Sequence, residues 1–302
     1  MYQNHDKKEV WKIRALMAVW TVIVFFGISV LFGYTEFDDP TPVGDETTEA
    51  GTAGAETTEG TEAETVSLQP ELPVSDAEEE ILSSLYAAME VGDFAQAAEI
   101  LNTEEEALKT LTAETLNGEA WLYYEQEENG TSLHYMEQLG EGAAGDGLAL
   151  SRYNTAFFGS FQNGRPEGSC LAVQAVVTDA PRYTYASGSW SNGKMNGEGE
   201  TGYRYYETIP EGSYAGIKKS GTYSENLLDG AFVYEVEGAD GEVFSWDMEA
   251  AAGVTVLNDS WVYSEASGTY ALGARDHEDR TYVLEDGQAQ SVLWNNLIVW
   301  GE

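Results

Sequence analysis

Ser187-Gly188-Ser189-Trp190-Ser191-Asn192-Gly193-Lys194, followed by Gly197 and Gly199, is the stretch on which the fold turns. Side chains alternate along a strand, so Gly188 and Trp190 share one face. Asn192-Gly193 marks a tight connection, because glycine reaches positive φ without a Cβ penalty. A second glycine, Gly197, then lets the returning strand pass close beneath the aromatic ring of a neighbouring unit. The spacing predicts a β-hairpin.

Two further segments align with it. Phe158-Gly159-Ser160-Phe161-Gln162-Asn163-Gly164-Arg165 leads to Gly168 and Cys170, and Ser220-Gly221-Thr222-Tyr223-Ser224-Glu225-Asn226 leads to Gly230 and Phe232. Each places an aromatic two residues after a glycine, and another glycine seven residues beyond that aromatic. Hairpins of this kind bury aromatics between successive units, so a copy depends on its neighbours for stability. A weaker copy precedes them and ends in Gly145 and Gly147. After Gly230 the pattern fades, but VYEVEGADGEVFSW and TYVLEDGQAQSVLW still read as hairpins that close the sheet.

These segments resemble the MORN (membrane occupation and recognition nexus) repeat, roughly Tyr-x-Gly-x-Trp-x-x-Gly-Lys-x-x-Gly-x-Gly. The match is closest at Gly188, Trp190, Gly193, Lys194, Gly197 and Gly199. The first copy has Phe161 for Trp and Arg165 for Lys, alongside Gly159, Gly164 and Gly168; the third keeps Gly221, Tyr223 and Gly230 but carries Asn226 at the turn. The spacing between copies is longer than usual for the family, which implies loops at 177–183 and 206–215. The resemblance implies an elongated antiparallel meander used for protein contact or lipid association, and no reaction. From Phe157 onward 8 basic face 22 acidic side chains, which disfavours anionic lipid.

Outward from the repeats, the expected organisation is mainly β. A cytoplasmic tail (1–14), a transmembrane helix (15–35), a disordered acidic linker (36–74) and a small helical segment (75–116) precede the β-repeat domain (117–302). The uncharged run Ala15–Thr35 is long enough to cross a hydrocarbon core of about 30 Å at about 1.5 Å per residue. Lys7, Lys8, Lys12 and Arg14 precede it and acidic residues follow, which puts the N-terminus in the cytoplasm and the bulk of the chain outside. Leu31-Phe32-Gly33 is a poor cleavage site, so an uncleaved anchor is expected. Residues 36–80 carry 15 acidic and no basic side chains, and with so little apolar surface the linker cannot offset chain entropy. Ser75-x-x-Glu78 and Thr103-x-x-Glu106 both fit a capping box. LYAAMEVGDFAQAAEIL resembles half of a tetratricopeptide-type hairpin, one copy being too few for a solenoid.

The formal charge of -39 repels polyanions, so nucleic acid is not an expected partner. Cys170 is the only cysteine, which excludes an intramolecular disulfide and a thiolate metal cluster. His134 and His277 stand outside any metal-ligand spacing, and Glu198 and Glu200 read as same-face neighbours on a strand. The expectation is a non-enzymatic module without cofactor or metal, binding an envelope protein. The alternative is a cell-wall glycan gripped by exposed aromatics, with Trp190, Tyr203, Tyr205 and Tyr206 as candidates.

Overall fold

The computed structural model describes residues 72–176, 180–265, 269–272, 281–282, 284–285, 288–289 and 298–301. Residues 1–71, with the expected tail, transmembrane span and nearly all of the acidic linker, lie outside the described residues, as does His277. Among the described residues no helix is long and apolar enough to cross a membrane.

Three helices come first: α1 (Asp76–Glu90), α2 (Phe94–Thr103) and α3 (Glu105–Thr110), the last running into a π-turn over Leu111–Thr115. Ser75 and Glu78 form the expected reciprocal capping box. Gly92 turns at φ 72° and Asp93 caps α2 through the Gln96 amide at 3.0 Å. The expected box at Thr103 does not form. Thr103 is the last residue of α2, and its hydroxyl donates back to the Glu99 carbonyl, an alternative that mid-helix and C-terminal threonines share.

The strands are β1 (Trp121–Glu128), β2 (Thr131–Gln138), β3 (Ala144–Arg152), β4 (Thr155–Gln162), β5 (Arg165–Val176), β6 (Arg182–Ser191), β7 (Lys194–Tyr205), β8 (Gly216–Ser224), β9 (Leu227–Glu237), β10 (Val243–Ala251) and β11 (Val254–Val256). From β3 to β11 they form an antiparallel meander in chain order. The β1–β2 hairpin adds to one edge through β1, and β16 (Gln288–Ala289) and β15 (Leu284–Glu285) extend the other. The expected hairpin at VYEVEGADGEVFSW is present as β9–β10, and the one at TYVLEDGQAQSVLW is seen over Leu284–Glu285 and Gln288–Ala289, while Thr281–Tyr282 belongs to another sheet. A separate small sheet holds β12 (Trp261–Ser264), β13 (Thr269–Leu272) and β14 (Thr281–Tyr282).

The three repeats share one irregularity. Gly159 faces Cys170 and Phe161 faces Pro166; Gly188 faces Gly199 and Trp190 faces Met195; Gly221 faces Phe232 and Tyr223 faces Leu228. In every copy three residues oppose one, a bulge centred on the later glycine: Gly168 at φ 77°, Gly197 at 114° and Gly230 at 101°. The returning strand then sets Gly168 against Trp190 and Gly197 against Tyr223, the close passage read from the spacing. Gly145 pairs with Phe161 in the same way, the place of the weaker leading copy. Turn residues of each unit also donate to the preceding one, Gly193 to the Pro166 carbonyl, Asn226 to Met195 and Gly253 to Leu228, at 2.9, 3.0 and 2.7 Å.

Alternation divides the sheet into two faces. Phe157, Phe161, Ala172, Trp190 and Tyr223 share a core with Trp261, Leu272 and Ile298. Trp300 meets the Phe157 ring edge-on at 4.9 Å. On the opposite face Leu148, Leu150, Val173 and Tyr183 pack beneath Leu85, Met89 and Leu101 of the helices. Each large ring fully buried in this way contributes about 1.5–3 kcal/mol.

Candidate functional site

The helices reach the sheet as far as β5 and β6. Beyond that line the helix face of β7 to β9 opens into a groove of about 330 Å³. Strand register builds it. One row across the sheet reads Tyr183, Arg204, Gly216, Glu237; the next reads Tyr185, Gly202, Lys218, Glu235.

The glycines shape the floor by what they lack. Arg204 extends across Gly216 to reach Glu237, one strand further on, with Nη2 donating to Oε1 at 2.7 Å and Nη1 to the other oxygen. A Cβ on Gly216 would sit 2.8 Å from the Tyr203 carbonyl and 3.5 Å from the Arg204 Cβ. The Tyr185 ring leans over Gly202, where a Cβ would meet it at 2.8 Å. Lys218 pairs directly with Glu235, and Glu200 adds a third carboxylate to the lining. Phe94, the first residue of α2, forms the wall by stacking on Tyr185 at 4.9 Å.

Electrostatics leave these groups in defined states. Burial raises the Tyr185 and Tyr183 phenols, so both are neutral hydroxyls at physiological pH. Hydrogen bonding to Glu237 raises Arg204, and hydrogen bonding to Glu235 raises Lys218, so both cations stay charged. The partners are partly exposed, and such pairs are worth at most about 1 kcal/mol of stability. Their effect is positional: donors and acceptors are fixed side by side in a partly exposed recess.

The aromatics expected from sequence as ligand contacts have different places. Trp190 is 2% exposed, its indole N–H donates to the Cys170 carbonyl at 3.2 Å, and it belongs to the core. Tyr203 lines the groove, half-buried, and Arg182 stacks over it and over Tyr205. Tyr206 is tied to α2 by Asn102 at 3.3 Å. The structural repeat positions Gly159, Gly164, Gly168, Gly188, Gly193, Gly197, Gly199, Gly221 and Gly230 all lie in the turns, bulges or close crossings described above. Sequence reasoning did not find Phe94, Arg204, Lys218, Glu235 or Glu237. For the four charged residues the only signal is a charge at alternate strand positions, which acquires meaning once the register across the 206–215 loop is known, and Phe94 reads from sequence only as part of the helical pattern.

Other chemistry-bearing groups lie elsewhere. Glu198 is exposed and accepts the Thr222 hydroxyl at 2.6 Å, whereas Glu200 turns into the groove. His134 sits between Glu79 and Glu125, 3.6 Å from each. Cys170 is buried, donates to the Ser160 carbonyl at 3.1 Å, and burial pushes its thiol up to about 11, far from a neutral-pH nucleophile. Among the described residues no group of three or more His, Cys, Asp or Glu side chains is placed to hold a metal ion. No protein-family profile matches the chain, and no curated protein is similar to it.

Proposed function

We propose that the chain is a non-enzymatic binding module, built from degenerate MORN-like hairpins and held outside the cytoplasm by a membrane span at 15–35. The recognition surface is the groove on the helix face. One observation carries this reading: Arg204, Lys218, Glu235 and Glu237 form paired, outward-facing polar groups beside the Phe94–Tyr185 stack, a concave site of aromatic wall and convergent polar atoms. That lining suits a cell-wall glycan. A second reading, capture of an envelope protein, draws on exposed Leu227 beside Gly253 and exposed Val254 at the turn end of the ribbon.

The test is retention by the immobilised full-length chain of purified wall glycan and of envelope proteins, with Arg204→Ala as the groove variant. Glycan retained by the parent and released by the variant supports the first reading. Protein retained equally by both, with no glycan, moves the site to the turn end. Release of new reducing ends during incubation would end the non-enzymatic assignment.

A further inference from the structure

We infer that the groove binds a neutral pyranose saccharide, with one sugar ring packed against the edge of the Phe94–Tyr185 stack and vicinal hydroxyls bridging the Arg204–Glu237 and Lys218–Glu235 pairs. This rests on the groove being the ligand site, and it adds the class of ligand and the reason charged sugars are refused.

A pyranose has two surfaces, an apolar C–H face and a rim of hydroxyls that each donate and accept. The stacked rings of Phe94 and Tyr185, which cover each other's faces, supply an apolar edge for the first. The second needs a donor beside an acceptor at the spacing of neighbouring hydroxyls, and a guanidinium locked to a carboxylate offers that. Arg204 and Glu237 are locked in this way because Gly216, between them, has no side chain. Both pairs exist before ligand arrives, so little side-chain entropy is lost on binding. The volume of about 330 Å³ lies at the small end of ligand-sized pockets, which run from about 300 to 1,000 Å³.

Charge decides the selectivity. The lining holds two cations, Arg204 and Lys218, and three carboxylates, Glu200, Glu235 and Glu237. Both cations are already engaged by carboxylates. An incoming uronate or phosphate would have to displace Glu237 or Glu235 and would then face Glu200. A neutral sugar has no such conflict.

The experiment is calorimetric titration of the full-length chain in a non-glycosidic detergent. The probes are a β-linked glucose oligomer, an N-acetylglucosamine oligomer and an oligogalacturonate. Binding of either neutral probe, with the oligogalacturonate at least about tenfold weaker, is expected. Arg204→Ala and Tyr185→Leu should each weaken the neutral probe about tenfold, the loss of one good contact, while Tyr185→Phe keeps it. Arg204 is exposed, so that variant decides the matter if Tyr185→Leu does not fold. Oligogalacturonate binding as tightly as the neutral probes would overturn the charge argument while leaving a glycan groove in place. No binding of any probe at about 10 mM would remove the glycan reading itself. Unchanged affinity in Arg204→Ala would place the sugar elsewhere and overturn the inference.

Discussion

The second and third hairpins, β6–β7 and β8–β9, have the same bulge, the same turn geometry and the same stacking onto the preceding unit, yet they solve the packing problem with different residues. In the second, glycine faces glycine: Gly188 against Gly199, with Asn192-Gly193 at the turn. In the third, Phe232 faces Gly221, and the turn is Glu225-Asn226 at φ 51° and 72°. Asn226 compensates for the missing glycine by accepting the Met195 amide through its side chain at 2.7 Å, in addition to its own backbone bond. Four residues before each aromatic stand Phe157, Ala186 and Lys219 in turn, all buried. The backbone pattern is thus conserved between units more strictly than the side chains that fill it. The close crossing of strands at the bulge defines the unit, and the core is fitted around it.

The largest test of this comparison is at the crossing. A Cβ on Gly188 would lie 2.5 Å from both the Glu198 carbonyl oxygen and the Gly199 Cα, at φ 148°, so backbone would have to move. Its counterpart on Gly221 would be 2.6 Å from the Phe232 Cβ and 2.9 Å from the Ala231 carbonyl oxygen, a similar crowding but without the positive φ that adds strain at Gly188. Gly188→Ala should cost about 4 kcal/mol, combining strain with overpacking, and Gly221→Ala about 2. Urea unfolding of the two variants measures the gap; equal costs would show that the positive φ at Gly188 adds no strain, and negligible costs in both would show that the crossing does not define the unit.

The next test uses the slot that holds Lys219 in the third hairpin and Ala186 in the second. Burial lowers the Lys219 ammonium from 10.5 to about 8. Between those values the unfolded chain holds a proton that the folded chain has released, so stability should rise as pH increases through the window, by at most about 1.4 kcal/mol per unit. The neutral phenols of Tyr123, Tyr185 and Tyr223, all raised by burial, act in the opposite sense once pH passes 10. The buried Cys170 thiol, raised from 9.0 to about 11, opposes the rise from about pH 9, so the measurement belongs between pH 8 and about 9. Lys219→Met should flatten the rise; an unchanged slope would assign it to another group.

The smallest effect is at the turn. Asn226→Ala removes the bond to the Met195 amide and places a Cβ residue without a polar side chain in the left-handed region, which should cost about 2 kcal/mol. Asn226→Gly restores the residue of the second hairpin and should cost about 1 kcal/mol. Equal losses would mean that the side-chain clasp, and not the backbone conformation, keeps the third turn in place.

Much of the fold was legible because its determinants are local. A glycine two residues before an aromatic, Asn-Gly at a turn and alternating apolar residues act within one hairpin, and they predicted turn, close strand passage and core face from Gly159 to Gly230, though not the bulge. The Ser75 cap was readable for the same reason, and the failed cap at Thr103 shows the limit, since its hydroxyl had a local competitor in the Glu99 carbonyl. Trp190, expected among ligand contacts, lies in the core because the strand behind it supplies both a close partner and the Cys170 carbonyl.

The groove belongs to the other category. Arg204 and Glu237 are 33 positions apart and meet because Gly216 is the residue that falls between them, an alignment set by the length of the 206–215 connection and by the bulges on either side. Phe94 reaches Tyr185 because α2 docks on β5 and β6 and leaves the next strands uncovered. Short-range rules of strand and turn therefore determined the ribbon from sequence alone. Which side chains share a recess on its surface was decided by register and helix docking, since both depend on contacts between residues that no local pattern connects.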